Sequence, residues 1–118
     1  MAWEVVFYND AEGKSPVLDY LREVTPPQRR KIGWTIRLLQ ENATTLAEPH
    51  CKHLGGGLWE LRTQVEGDAF RCLYVIWTEE RLLILHVFQK KTPKTPTREI
   101  YLARRRWVDW LARATEPR

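Results

Sequence analysis

The stretch Leu58–Arg71, LWELRTQVEGDAFR, constrains the fold more than any other part of this chain. It reads as two strands joined at Glu66-Gly67. A tight two-residue turn there pairs Val65 with Asp68 and sets Arg62 directly opposite Arg71. Like charges facing each other across a sheet are destabilising. Such a pair is tolerated when water, a carboxylate or an anionic ligand lies between its members. Phosphate is the most economical ligand, because guanidinium groups match it with two parallel hydrogen bonds.

The rest of the sheet follows from the same arithmetic. Three strands are predicted at about Leu58 to Val65, Asp68 to Thr78 and Leu82 to Gln89. Their links are short, so they form an antiparallel meander. Side chains alternate between faces with period two. Trp59, Leu61, Thr63 and Val65 share a face with Phe70, Cys72, Tyr74 and Ile76, and, if Glu79-Glu80 is also a tight turn, with Leu83, Leu85 and Val87. The opposite face collects Glu60, Arg62, Arg71, Leu73, His86, Phe88 and Lys90. A slip of one residue in either turn would scramble it.

Before the meander, Trp3 to Tyr8 is rich in aromatic and β-branched residues and reads as a strand. Ser15-Pro16 is a helix start, with Val17, Leu18 and Leu21 at helical spacing after it. A second helix runs from about Pro27 to Asn42, with Ile32, Ile36 and Leu39 on one stripe. The two form a helical hairpin that packs on the apolar side of the sheet. From Ala43 to Gly57, Pro49 and Gly55-Gly56-Gly57 mark an irregular connection that holds Lys52 and His53 in a loop. Thr95-Pro96 is a second cap-then-proline signal, and a helix continues to about Ala114 with Ile100, Ala103, Trp107, Trp110, Leu111 and Ala114 on one stripe. The expectation is a single α+β domain over residues 1–118: an antiparallel sheet with an N-terminal strand, a two-helix hairpin, a three-stranded meander and a C-terminal helix.

Charge is unevenly spread. Residues 1–49 hold six Lys/Arg against seven Asp/Glu, and residues 50–118 hold thirteen against eight. The positive potential belongs to the second half and favours an anionic partner, nucleic acid above all. The apolar runs are shorter than the roughly 20 residues that span a bilayer. The N-terminal stretch carries acidic residues and no basic segment, unlike a secretory signal, which predicts a cytoplasmic protein with no membrane association. The two cysteines lack CxxC spacing; Cys72 reads as a core residue and Cys51 as a loop residue.

Several residues could carry chemistry. Arg62 and Arg71 would clamp one phosphate and stabilise charge that builds on it, or Arg62 would simply pair with Glu60. Lys52 and His53 lie beside that face, and a histidine titrating near neutrality suits proton transfer. His86 is either a further acid or base, or a half-buried histidine bonded to a neighbour. Lys90, Lys91, Lys94 and Arg98 could track an RNA backbone, while Phe88 or Tyr101 offers a stacking surface. Arg104, Arg105 and Arg106 spread round their helix and cannot all meet one ligand. A region rich in Arg and Lys and poor in carboxylates would repel a divalent cation, so no metal or other cofactor is expected.

Three local patterns resemble the RelE/ParE toxin superfamily of bacterial toxin–antitoxin systems. Lys52-His53-Leu54 followed by Gly57-Leu58-Trp59-Glu60-Leu61-Arg62 resembles its "KxL…GLxELR". Phe70-Arg71-Cys72-Leu73-Tyr74 resembles its "YRxxY" strand. Phe88 to Pro96, FQKKTPKTP, followed by Glu99-Ile100 and Ala103, resembles the end of the phage-derived, HigB-like branch. The resemblance implies a RelE-like fold and a metal-independent mRNA endoribonuclease that acts on the ribosome. Lys52, Arg62, Arg71 and Lys90 or Lys91 would be its working set. It also implies a cognate antitoxin and a toxin–antitoxin hetero-oligomer. The end of the fourth strand offers Gln89, Lys90 and Lys91 where some ribonuclease members place a tyrosine or histidine. Other members share the fold and poison DNA gyrase without chemistry, and a degenerate, non-toxic member is a further alternative.

Overall fold

A computed structural model describes residues 3–46 and 50–114. Pro49, assigned above to an irregular connection, lies outside the described residues, as do the first two residues of the N-terminal stretch. Glu66 and Gly67 both take positive φ, 49° and 88°. Positive φ at both central residues marks the type I′ turn, whose twist matches that of the flanking strands. Val65 pairs with Asp68, and Arg62 pairs with Arg71.

The chain runs β1 (Glu4–Phe7), α1 (Pro16–Glu23), α2 (Pro26–Glu41), β2 (Cys51–Gly55), β3 (Leu58–Val65), β4 (Asp68–Thr78), β5 (Arg81–Lys90) and α3 (Thr97–Ala114). This is an α+β fold consistent with the RelE type. The Ser15 hydroxyl accepts from the Leu18 N–H and starts α1. Thr25 and Gln28 satisfy each other's backbone in a capping box at the start of α2. The sheet order is β1-β5-β4-β3-β2. The first strand lies parallel beside β5, and the other pairs are antiparallel.

Two expectations are corrected. The connection before β3 contains a strand, β2, so Lys52 and His53 lie in the sheet and not in a loop. The glycines that suggested irregularity are the turn of a second hairpin: Gly55, Gly56 and Gly57 all take positive φ, which only glycine adopts freely. Cys51 is accordingly buried, and its thiol donates to the Leu46 carbonyl.

The second correction concerns β5. Thr78 pairs with Arg81, so the Glu79-Glu80 link is tight, but the register then shifts twice. Trp77 is an extra residue on β4, and Leu85 is an extra residue on β5. Leu83 and Leu85 therefore face away from α1 and α2, and Leu82, Ile84 and Val87 face toward them. Between Ile84 and Val87 the alternation breaks, as a β-bulge requires. The two shifts cancel, so Arg71 still meets Phe88, Leu73 meets His86 and Ala69 meets Lys90.

Both faces of the sheet are packed. Val17, Ile32, Ile36 and Leu39 from α1 and α2 cover Leu61, Phe70, Cys72, Tyr74 and Ile84. On the other face Ala103, with Ile100, Trp107 and Trp110 beside it, covers Leu58, Leu73, Val75, Leu83 and Leu85. The C-terminal end of α3 is tied to the end of β1. The Tyr8 hydroxyl donates to Asp109 at 2.6 Å, and Arg113 donates to Asp109 and to the Asn9 carbonyl. Among the described residues no helix is long and apolar enough to cross a membrane.

Candidate functional site

Beyond the N-terminal end of α3 the second sheet face turns from apolar to charged, and Glu60 sits at its centre. Its side chain is only 2% exposed. Arg62, two residues on along β3 and so on the same face, donates from Nε to Glu60 Oε1 at 3.3 Å. Arg71 Nε lies 3.3 Å from the same oxygen, but it is not aligned as a hydrogen bond. The Thr95 hydroxyl donates to the other carboxylate oxygen. The facing arginines are thus reconciled by a carboxylate from their own sheet. Thr95 gives its hydroxyl to this cluster and not to the helix: the Pro96 carbonyl accepts from the Glu99 and Ile100 N–H groups as α3 begins.

Two lysines flank the cluster. Lys52 pairs with Glu60 across β2 and β3, which puts its side chain on the same face. Lys90, the last residue of β5, is half-buried. Burial pushes its amine below the ordinary lysine range, and Arg71, Arg62 and Lys52 push it further against the opposing pull of Glu60. Burial likewise lowers Arg71, with Glu60 opposing and Arg62 adding to the shift. Lys52, Arg62, Arg71 and Lys90 therefore share one field around a single carboxylate. Lys91, Lys94 and Arg98 are exposed and continue the charge along the loop into the first turn of α3.

Three of the residues expected to meet RNA are placed differently. His53 alternates away from Lys52; its ring lies 4.6 Å from that of Trp59. Phe88 is buried and stacks on His86, so its ring is no open platform. His86 is bonded on both sides. Arg106 can only donate, so Nδ1 accepts from it at 3.2 Å, and Nε2 carries the proton toward Glu99 at 3.0 Å. Burial and, more weakly, the Arg106 charge lower the His86 pKa, although the bond to Glu99 opposes them. Of the arginine run, Arg104 donates to the Gly55 carbonyl and Arg106 to the Leu85 carbonyl, while Arg105 is exposed.

Sequence reasoning missed Trp34. It stands on α2 off the buried stripe and is 54% exposed. With Lys31, Thr35, Arg62, Thr63 and Arg71 it lines a cleft of about 410 Å³ beside the arginine pair. An exposed tryptophan two residues from a core isoleucine was the available signal.

Residues 19–108 match the family described as phage-derived protein Gp49-like (DUF891). The chain belongs to the Gp49-like family. No curated protein matches it. The Gp49-like family is a toxin family of toxin–antitoxin systems, RelE-like in type, and membership implies an antitoxin partner. The matched span begins in α1 and ends in α3, so it contains the whole charged cluster.

Proposed function

We propose that this Gp49-like protein is the toxin of a HigB-like type II pair and cleaves messenger RNA, probing it on the ribosome. The observation that carries the reading is the gathering of Lys52, Arg62, Arg71 and Lys90 around one buried carboxylate on a single face of the sheet. In such a site the ribose 2′-OH attacks the adjacent phosphate in line. The O2′–P bond forms, the P–O5′ bond breaks, and a proton passes from the attacking oxygen while another reaches the leaving one. Guanidinium groups fixed by Glu60 stabilise the added negative charge without reorganising. Lys90, held below the usual amine range by burial and its cationic neighbours, gives up its proton more readily than a surface lysine and suits the transfer.

Glu60 also favours a second reading. A carboxylate already seated on both arginines suits a toxin that binds its target without chemistry, as gyrase poisons of this fold do, or a degenerate member. Induction in a growing bacterium, with messenger 5′ ends mapped within minutes, separates the two. New ends inside coding regions are expected, absent with Arg71→Ala and suppressed by the co-expressed antitoxin. Loss of one such contact costs about 10²–10³ in rate. Growth arrest with intact messenger would overturn the proposal.

A further inference from the structure

We infer that the cleft between α2 and β3 is a nucleotide subsite, in which an RNA base stacks on Trp34 while Lys31 and Arg62 hold the adjoining phosphate. The inference rests on RNA being the ligand, and it adds a place for the base that the cationic cluster alone does not supply. Trp34 lies off the stripe formed by Ile32, Ile36 and Leu39, so the core has no use for it. The residue is more than half exposed, and the Lys31 ammonium sits over one face of its ring, 4.5 Å from the centroid. A π-face beside a cation is the arrangement that single-stranded nucleic acid uses, with stacking for the base and charge for the backbone. The cleft volume, about 410 Å³, falls within the roughly 300–1,000 Å³ of small-ligand sites.

The lining also asks for an acceptor-rich ligand. Arg62 spends its Nε on Glu60 and keeps its terminal nitrogens for a ligand. Thr63, 3% exposed in the lining, has a hydroxyl without a hydrogen-bond partner. Arg71 lines the cleft as well as the charged cluster, so one arginine belongs to both places. A strand of RNA gripped at the arginine pair thus has its neighbouring nucleotide delivered to Trp34. Phe88, the alternative platform on the sheet, is buried, and the exposed Tyr101 lies on α3 and does not line this cleft.

The test is fluorescence anisotropy with a labelled, fully 2′-O-methylated RNA oligonucleotide, which lacks the attacking hydroxyl and reports binding alone. A matching oligonucleotide without bases is the control. Trp34→Ala is expected to weaken binding of the intact strand about ten- to a hundredfold, with Trp34→Phe recovering most of it. The loss should nearly vanish on the abasic strand, and the salt slope should stay unchanged. Arg62→Ala should instead flatten that slope by about 0.7. Circular dichroism on each variant reports the fold. Unchanged affinity with Trp34→Ala, equal loss on both strands, or no binding by the parent protein would overturn the inference. So would a Trp34→Ala protein that binds RNA normally but escapes its antitoxin, which would make the cleft a protein-docking site. A protein that binds through Trp34 yet leaves messenger intact would sink the cleavage proposal and spare the subsite.

Discussion

Arg62 and Arg71 stand directly opposite each other on adjacent strands, each with its Nε 3.3 Å from one oxygen of Glu60. The sheet holds two like charges face to face because a third, opposite charge is buried between them. That arrangement fixes both guanidinium groups before any ligand arrives, and it makes the cluster sensitive to loss of the carboxylate.

Glu60→Gln keeps the shape and removes the counter-charge. Breaking a buried ion pair from one side costs about 3 kcal/mol, because the remaining charge is left without compensation. A urea unfolding curve should show that loss. The triple variant Glu60→Gln, Arg62→Gln, Arg71→Gln should recover part of it, since both guanidinium charges then disappear with the carboxylate. A single variant as stable as the parent protein would show that the arginines need no internal partner.

Acid should weaken the fold through His86. Burial holds its folded pKa below the unfolded value of about 6.5, so the unfolded chain binds the extra proton first. The contribution is present above that unfolded value and is lost as pH falls through the folded one. His86→Gln can still donate to Glu99 and accept from Arg106 without titrating. Urea midpoints at pH 7.5 and 5 should therefore differ less in this variant than in the parent protein.

Glu66 occupies a turn position at φ 49° that suits asparagine or glycine better. Glu66→Asn should stabilise the hairpin by up to about 1 kcal/mol, the lower end of the roughly 1–2 kcal/mol that a left-handed residue costs. Thermal unfolding measures the gain. No gain, or a loss, would mean that the Glu66 side chain contributes more than its backbone strain costs.

Cys72 should resist alkylation. Burial pushes its thiol up to about 12, so the reactive thiolate is scarce at pH 8. Iodoacetamide followed by mass spectrometry should label Cys72 in urea and leave it unmodified in the folded protein.

The hairpin at Glu66-Gly67, the Arg62–Arg71 pairing and the capped start of α1 were legible because each rests on local chemistry or on period-two alternation over a short span, whereas the Thr25–Gln28 capping box of α2 was overlooked. Leu83 and Leu85 were misplaced because a bulge has no marker in residue type: Trp77 and Leu85 are ordinary strand residues. Lys52 and His53 were misplaced because β2 is five residues long and its glycine turn resembles a breaker. The grouping of Glu60, Arg62 and Arg71 was readable, whereas the part played by Thr95 and Trp34 was not. Those contacts join elements far apart in the chain, and no periodicity reports them.

The paired irregularities in β4 and β5 carry a consequence for how this domain tolerates change. Deleting Leu85 alone would bring Ile84 and His86 together in plain alternation, and the Lys90 amine would keep its surface. Deleting Trp77 would likewise close the other irregularity and leave Thr78 opposite Arg81. Single deletions along this ribbon should therefore survive at Leu85 or Trp77 and fail between His86 and Lys90, where each would turn the side chains beyond it to the wrong surface.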